Sequence, residues 1–349
     1  MVAHAFAVPG RLDQPTGGYA YDRRVIAELR RRGCDIDIVD LGEGFPRPSD
    51  ATTREALTRL MQVPVGRPIV IDGLAFGVLP EAAVVLRPTH PVIALVHHPL
   101  ALEAGLTREQ AQVLRASERA ALAAARHVIV TSAATARLLA ADYGVVQRAI
   151  TVALPGNDRV ADSRKEPRET VKLLAVGAVV RRKGYDVLIE ALSRLTDLDW
   201  QLAIAGDCTR DRETAGALAT RLVLLRLGAR ITMTGAVSEE ELTALYHDAD
   251  LFVLASRHEG YGMAFAEAIA YGLPVIGTKA GAIPETVPKG AGILVPPDDV
   301  TALAVALRTM IADVALRERC AEVSRRAALL LPTWAATAEA FLGVLRAVT

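Results

Sequence analysis

Short apolar runs alternate with helical patterns along the whole chain, and this alternation limits the fold more than any other feature. "HAFAV" (4–8) reads as a strand, and "GGYAYDRRVIAELRRRG" (17–33) as a helix ending at Gly33. "CDIDIVDL", "RPIVIDGLA", "PVIALVHH", "RHVIVTS" and "ITVALPG" are further strands. "TREQAQVLRASERAALAAA" is a helix that Thr107 and Gln110 open as a capping box. The densely charged stretch "GNDRVADSRKEPRET" (156–170) reads as a linker. The alternation then restarts with "VKLLAVGAVV", "WQLAIAGD", "RITMTGAV", "DLFVLAS", "PVIGT" and "GILVPP" as strands. Helices are expected at "YDVLIEALSRL", at "SEEELTALYHDA" behind a Ser238–Glu241 capping box, from Met263, and as one long helix after Asp299.

Strand–helix alternation of this kind implies parallel sheets covered by helices. Two blocks around one linker predict an α/β protein of two doubly wound, Rossmann-like domains. The boundaries expected are 1–163 and 164–333, with a C-terminal helix 334–349, carrying Trp334, packing back on the first domain. Ligands of such domains bind outside the carboxyl ends of the strands, here in the cleft between the domains.

Composition excludes several classes. Lys plus Arg equals Asp plus Glu at 40 each, so no basic bias points to nucleic acid. Cys34, Cys208 and Cys320 lie far apart without a CxxC, which suggests neither disulfides nor zinc and predicts a reduced, cytoplasmic compartment. "MVAHAFAVPG" is too short and uncharged for a signal peptide, and no apolar run reaches the roughly 18 residues of a membrane span. The basic run "RRVIAELRRR" reads as a solvated helix face, with weak peripheral contact at the inner face of a membrane as the alternative.

The chemistry concentrates in "EGYGMAFAE" (259–267). One continuous helix would leave Glu259 and Glu267 about 80° apart. A turn at Gly260–Gly262 with a helix starting near Met263 instead puts Glu259 before the helix and Glu267 one turn inside it. The free N–H groups between the acids then form an anion site with a hydrogen-bond acceptor at each end. A molecule with phosphates in its middle and hydroxyls at both ends fits.

"SRHEGYGMAFAEAIAYGLPVIGTKAGAIPETV" resembles the signature region of the family 4 glycosyltransferases, which have the GT-B fold. The E-x7-E spacing, the "GLPVI" strand and the "GAIPE" turn (281–285) carry the resemblance. "GGY" (17–19), "RRKG" (181–184), "AGD" (205–207) and "SEEELTALYHDADLFVLAS" agree with it. It covers essentially the whole chain, strongest over about 172–297. It implies a glycosyltransferase that moves a sugar from a nucleotide-diphosphate sugar to an acceptor hydroxyl of a glycan, lipid-linked or small molecule, with retention of configuration. Glu267 would bind the donor ribose and Glu259 face the transferred sugar. The backbone of Tyr261, Gly262 and Met263 would contact sugar and phosphate, and Lys183 would neutralise the diphosphate with help from Arg182 or Arg181. Gly17 and Gly18 match a loop that lets backbone approach phosphate. His97 in "LVHHPL", with His98 as the alternative, matches a histidine facing the donor sugar.

No metal or cofactor is expected: no D-x-D motif of the kind that metal-dependent transferases use is seen, and no acid or third histidine follows the His97–His98 pair at ligand spacing. The sequence departs from the family at Gly177–Ala178, where many relatives carry an arginine after the glycine. A nucleotide-sugar epimerase-like enzyme and an inactive nucleotide-sugar-binding protein are the rival readings.

Overall fold

A computed structural model describes residues 3–158, 160 and 168–348. Most of the segment read as a linker lies outside these residues. The chain divides into two compact units, Met1–Gly156 with Pro332–Thr349, and Asn157–Leu331.

In the first unit the strands are β1 (His4–Val8), β2 (Ile36–Asp40), β3 (Ile69–Asp72), β4 (Val92–Val96), β5 (His127–Val130) and β6 (Ile150–Val152). They form one sheet in the order β2-β1-β3-β4-β5-β6, every neighbouring pair parallel. β1, β3 and β4 are buried throughout, as a sheet covered on both faces requires. The helices α1 (Gly17–Arg31), α2 (Asp50–Met61), α3 (Gly73–Phe76), α4 (Pro80–Leu86), α5 (Arg108–Ala124) and α6 (Ala133–Asp142) connect them. Thr107 and Gln110 form the expected capping box of α5. α2, α3, α4 and α6 lie where no helix was expected from the sequence.

The second unit repeats the scheme with β7 (Val171–Val176), β8 (Trp200–Ala205), β9 (Ile231–Gly235), β10 (Leu251–Val253), β11 (Val275–Thr278) and β12 (Gly292–Val295). Their order is β12-β11-β10-β7-β8-β9, again parallel between neighbours. Its helices are α7 (Tyr185–Leu192), α8 (Arg212–Leu224), α9 (Glu239–Asp248), α10 (Met263–Ala270), α11 (Ile283–Thr286), α12 (Val300–Ala312) and α13 (Val314–Ala328). Ser238 and Glu241 cap α9 as expected. The single long helix expected after Asp299 is two helices. Asp313 leaves the helical region and its carboxylate accepts the N–H of Leu316, which starts α13 afresh.

The last helix, α14 (Trp334–Val348), belongs to the first unit and packs along α1. The Trp334 ring meets Tyr21 edge-on at 5.8 Å and lies under the Arg24 guanidinium at 5.2 Å. The arginines of α1, and Arg32 just after it, are engaged within this unit. Arg23 donates to the carbonyls of Leu12 and Gln14, Arg30 to that of Ile36, Arg31 to Glu28, and Arg32 to Glu339. No described helix is long and apolar enough to cross a membrane.

The connection from β7 to α7 shows how tightly this layout holds a loop. Gly184 separates a 3-10 turn at Arg181–Lys183 from α7 with φ +67°, and a Cβ there would stand 2.0 Å from the Ala255 carbonyl oxygen. Gly184→Ala is expected to lower the stability of the second unit by more than the roughly 1–2 kcal/mol of the left-handed backbone alone, because the close contact adds to it. Urea denaturation followed by circular dichroism checks this; an unchanged midpoint would show that the loop relaxes freely.

Candidate functional site

In each unit the sheet order reverses beside its first strand. β1 lies between β2 and β3, and β7 between β8 and β10. Loops leaving neighbouring strands at such a switch point diverge to opposite faces and leave a crevice at the carboxyl ends. Candidate residues gather beside both switch points.

In the second unit the loop after β7 brings Arg182 and Lys183, and the loop after β10 brings Glu259. Lys183 Nζ lies 2.7 Å from Glu259 Oε1, and Arg182 Nη1 lies 3.2 Å from Oε2. Ser256 donates to Oε1 at 2.6 Å. Arg182 also donates to the His258 carbonyl at 2.8 Å, so it is Arg182 rather than Arg181 that faces the acid. Arg257 braces the turn by binding Asp186, Asp298 and the Arg181 carbonyl. Gly281, at φ +56°, passes so close that a Cβ would lie 2.2 Å from the Glu259 carbonyl oxygen, and that oxygen accepts the N–H of Ala282. The "GAIPE" turn is thus packed directly on the backbone of the acid.

The helix expected from Met263 begins there, with Glu259 before it and Glu267 one turn inside. Gly262 offers no side chain to cap it, and the N–H groups of Met263 and Ala264 have no hydrogen-bond partner among the described residues. The Tyr261 carbonyl accepts from Thr286. Glu267 accepts from the Tyr246 hydroxyl at 2.8 Å, and the Tyr246 ring stacks on Tyr271 at 4.8 Å.

The two acids have opposite electrostatics. Burial alone would push Glu259 up, but the charges of Lys183 and then Arg182, with hydrogen bonds from Lys183 and Ser256, outweigh it and hold the carboxyl down at about 2. Glu267 is raised above its ordinary value by burial, which the Tyr246 hydroxyl and the charge of Lys183 only partly offset.

In the first unit Gly17 and Gly18 start α1, and Gly18 abuts the His97 ring, where a Cβ would meet Cδ2 at 3.6 Å. His97 follows β4, and its Nε2 lies 3.2 Å from both Asp22 Oδ1 and Asp72 Oδ2. His98 turns instead to Glu103, at 3.2 Å. The three groups around Nε2 are spaced as metal ligands can be. Sequence reasoning missed both aspartates because they come from α1 and β3, far from the histidine pair. A signal was present for Asp22: it falls on the same apolar stripe as Val25, Ile26 and Leu29 at helical spacing, where an unpaired acid is costly. Tyr246 and Ser256 were missed too, being ordinary residues of a helix and a strand end.

The Lys183–Glu259 pair makes a direct prediction. A depressed carboxyl contributes stability that is complete above its ordinary value of 4.5 and is lost as pH falls through its folded value of about 2. The carboxyl carbon of Glu259, followed by 13C NMR, should report a carboxylate down to about pH 3. A midpoint near 4.5 would mean that the ion pair does not form.

Residues 158–327 match the family model "Glycosyl transferases group 1". Mannosylfructose-phosphate synthase of Agrobacterium fabrum is 29% identical over 238 residues, covering 62% of this chain and 52% of that protein. The chain spans about half the length of most curated relatives it matches. Among solved structures, sucrose-phosphate synthase of Thermosynechococcus elongatus superposes with a TM-score of 0.82 at 23% identity, over 99% of both chains. HepE of Anabaena in complex with UDP-glucose does so with 0.77 at 18% identity, over 99% of both. The second unit thus matches the group 1 glycosyl transferases, and the chain as a whole has the two-domain α/β GT-B fold.

Proposed function

We propose that this protein is a glycosyltransferase that moves a sugar from a nucleotide-diphosphate sugar to an acceptor hydroxyl, with retention of anomeric configuration and without a metal ion. The observation that carries the reading is the second-unit cluster in which Arg182, Lys183 and Glu259 meet beside the uncapped start of α10. Two cations and one acid leave an excess positive charge next to free backbone N–H groups. Such a place suits a diphosphate, whose negative charge grows as the glycosidic bond breaks. HepE, solved with UDP-glucose, supports a nucleotide sugar as the donor.

In this reading Lys183 and Arg182 take the diphosphate, and Arg182 makes up for the arginine that Ala178 replaces. The backbone from Tyr261 to Met263 contacts phosphate and sugar. Glu267, held by Tyr246, accepts from the ribose hydroxyls, and Glu259 faces the transferred sugar. Gly17 and Gly18 let backbone approach the donor phosphates and His97 faces the donor sugar, while the first unit otherwise serves mainly the acceptor. Retention follows from a same-face displacement in which the leaving phosphate helps deprotonate the acceptor.

A panel of nucleotide sugars, with and without sugar and polyol acceptors and with excess chelator, tests the reading by nucleotide release. Release that depends on an acceptor is expected. Acceptor-independent turnover would favour an epimerase-like enzyme, binding without release an inactive binding protein, and activity restored only by magnesium or manganese a metal-dependent route.

Two substitutions sharpen the assignment. Lys183→Ala should cost on the order of a hundred-fold in kcat/KM, with kcat itself reduced, since the lysine meets more charge in the transition state than in the ground state. Turnover within a few-fold of the parent would remove Lys183 from the leaving-group site. Glu267→Ala should weaken nucleotide binding about ten- to hundred-fold, the worth of a hydrogen bond to a charged group at roughly 1.5–3 kcal/mol. Unchanged affinity in calorimetry would reject its place at the ribose.

A further inference from the structure

The buried cluster of the first unit asks what holds two carboxylates against one imidazole. Asp22 has no solvent exposure and Asp72 is 5% exposed, while the His97 side chain is 19% exposed. Both Asp22 oxygens and His97 Nε2 are sealed from solvent and find no well-aligned hydrogen bond, so charge attraction is what binds them. Asp72 is fixed from its other side, since its Oδ1 accepts the Leu74 N–H at 2.7 Å. Tyr21 packs edge-on against the imidazole at 5.2 Å and its hydroxyl is committed to the Ala153 carbonyl. The His97 carbonyl accepts from Thr131 at 3.1 Å. Ring and backbone are therefore both anchored. Nδ1 has no hydrogen-bond partner among the described residues.

Two fillers fit between the three groups, a proton on Nε2 or a metal ion. A zinc ion needs a fourth ligand, and magnesium keeps several waters. The carboxylate oxygens of Asp22 and Nε2 are closed to solvent, and Tyr21 and Gly18 occupy the flanks of the ring. The proton is the better occupant.

We propose that Asp22 and Asp72 are positioning residues that clamp the Nε2–H of His97 between them, keep the ring cationic, and leave Nδ1–H as the one nitrogen offered to a substrate oxygen. This rests on the proposed place of His97 in the substrate site. A neutral imidazole held through Nε2–H would offer Nδ1 as an acceptor; the imidazolium offers a donor. The ligand chemistry selected is therefore an oxygen lone pair, on a sugar hydroxyl or a phosphate. Burial disfavours a charged ring here, but the close carboxylates, Asp22 first and then Asp72, outweigh it and raise His97 to about 10. Burial in turn pushes Asp22 up to about 7. The titratable groups facing the ring are Asp22 and Tyr21 from α1 and Asp72 from the end of β3.

Long-range 15N–1H NMR of the histidine rings in the full chain tests this, with the His97 signal identified by its loss in His97→Gln. Both ring nitrogens of His97 are expected to stay protonated to at least about pH 8 in the parent, a reading that needs no variant. In Asp22→Asn, and separately in Asp72→Asn, the midpoint should fall by about 1–3 pH units. A parent ring that titrates near its ordinary value of 6.5 would overturn the proposal. Zinc or manganese chloride alone, added to the parent and followed by calorimetry, should give no tight binding; micromolar binding abolished in Asp22→Asn would replace the clamp with a metal site. Where nucleotide release is measurable, the alkaline limb of kcat/KM should move down in Asp22→Asn by the interval seen for the ring, and an unmoved limb would place His97 outside the substrate site. The spectra use no sugar donor, so failure of the clamp and failure of the transferase reading are told apart.

Discussion

Parallel strand pairing is the constraint on which the rest depends. A parallel strand cannot be reached by a tight turn, so each strand must be followed by a crossover, and every crossover leaves from the same end of the sheet. Where the order reverses, at β1 and at β7, two crossovers diverge and their first residues stand free of the sheet. Gly17 and Gly18 start the helix after β1, Asp72 ends β3, and His97 follows β4. Arg182 and Lys183 follow β7, and Glu259 follows β10. Charged groups collect at these ends because the interior of a buried parallel sheet has no place for them.

The two clusters have opposite polarity. The second unit sets two cations against one carboxylate, and the acid is held ionised. The first unit sets two carboxylates against one imidazole: the carboxylates hold the proton on the ring against burial, while burial raises Asp22. A pair of cations beside a helix start suits an anionic ligand, whereas a clamped imidazolium over an acidic floor suits an oxygen acceptor of modest charge. The two loops at the switch point of the second unit are also braced from behind, by Arg257 across Asp186 and Asp298 and by the turn at Gly281, so their charged ends are held by packing and do not rely on the ligand for order.

Much of this was legible in one dimension. The strands "HAFAV", "PVIALV" and "VKLLAV" stand out because a strand buried on both faces must be apolar at successive positions. The Thr107 and Ser238 capping boxes, and the start of α10 after Gly262, were equally readable because capping and glycine turns act over three or four residues. The break at Asp313 was not readable, because aspartate alone does not stop a helix unless the chain has somewhere else to turn. The short helices α3 and α4 also escaped, since a helix of four to seven residues shows too little periodicity to distinguish it from a turn.

The sequence by itself determined the alternation, hence the parallel sheets, and the local chemistry of "EGYGMAFAE", because strand burial, capping and helix starts are set by neighbours along the chain. Only the tertiary structure decided which side chains face one another. It brought Lys183 and Arg182 onto Glu259 across 76 and 77 residues, and Asp22 and Asp72 onto His97 from two other elements. Those contacts depend on strand order, and strand order is settled by packing between elements distant in sequence, which no local pattern records.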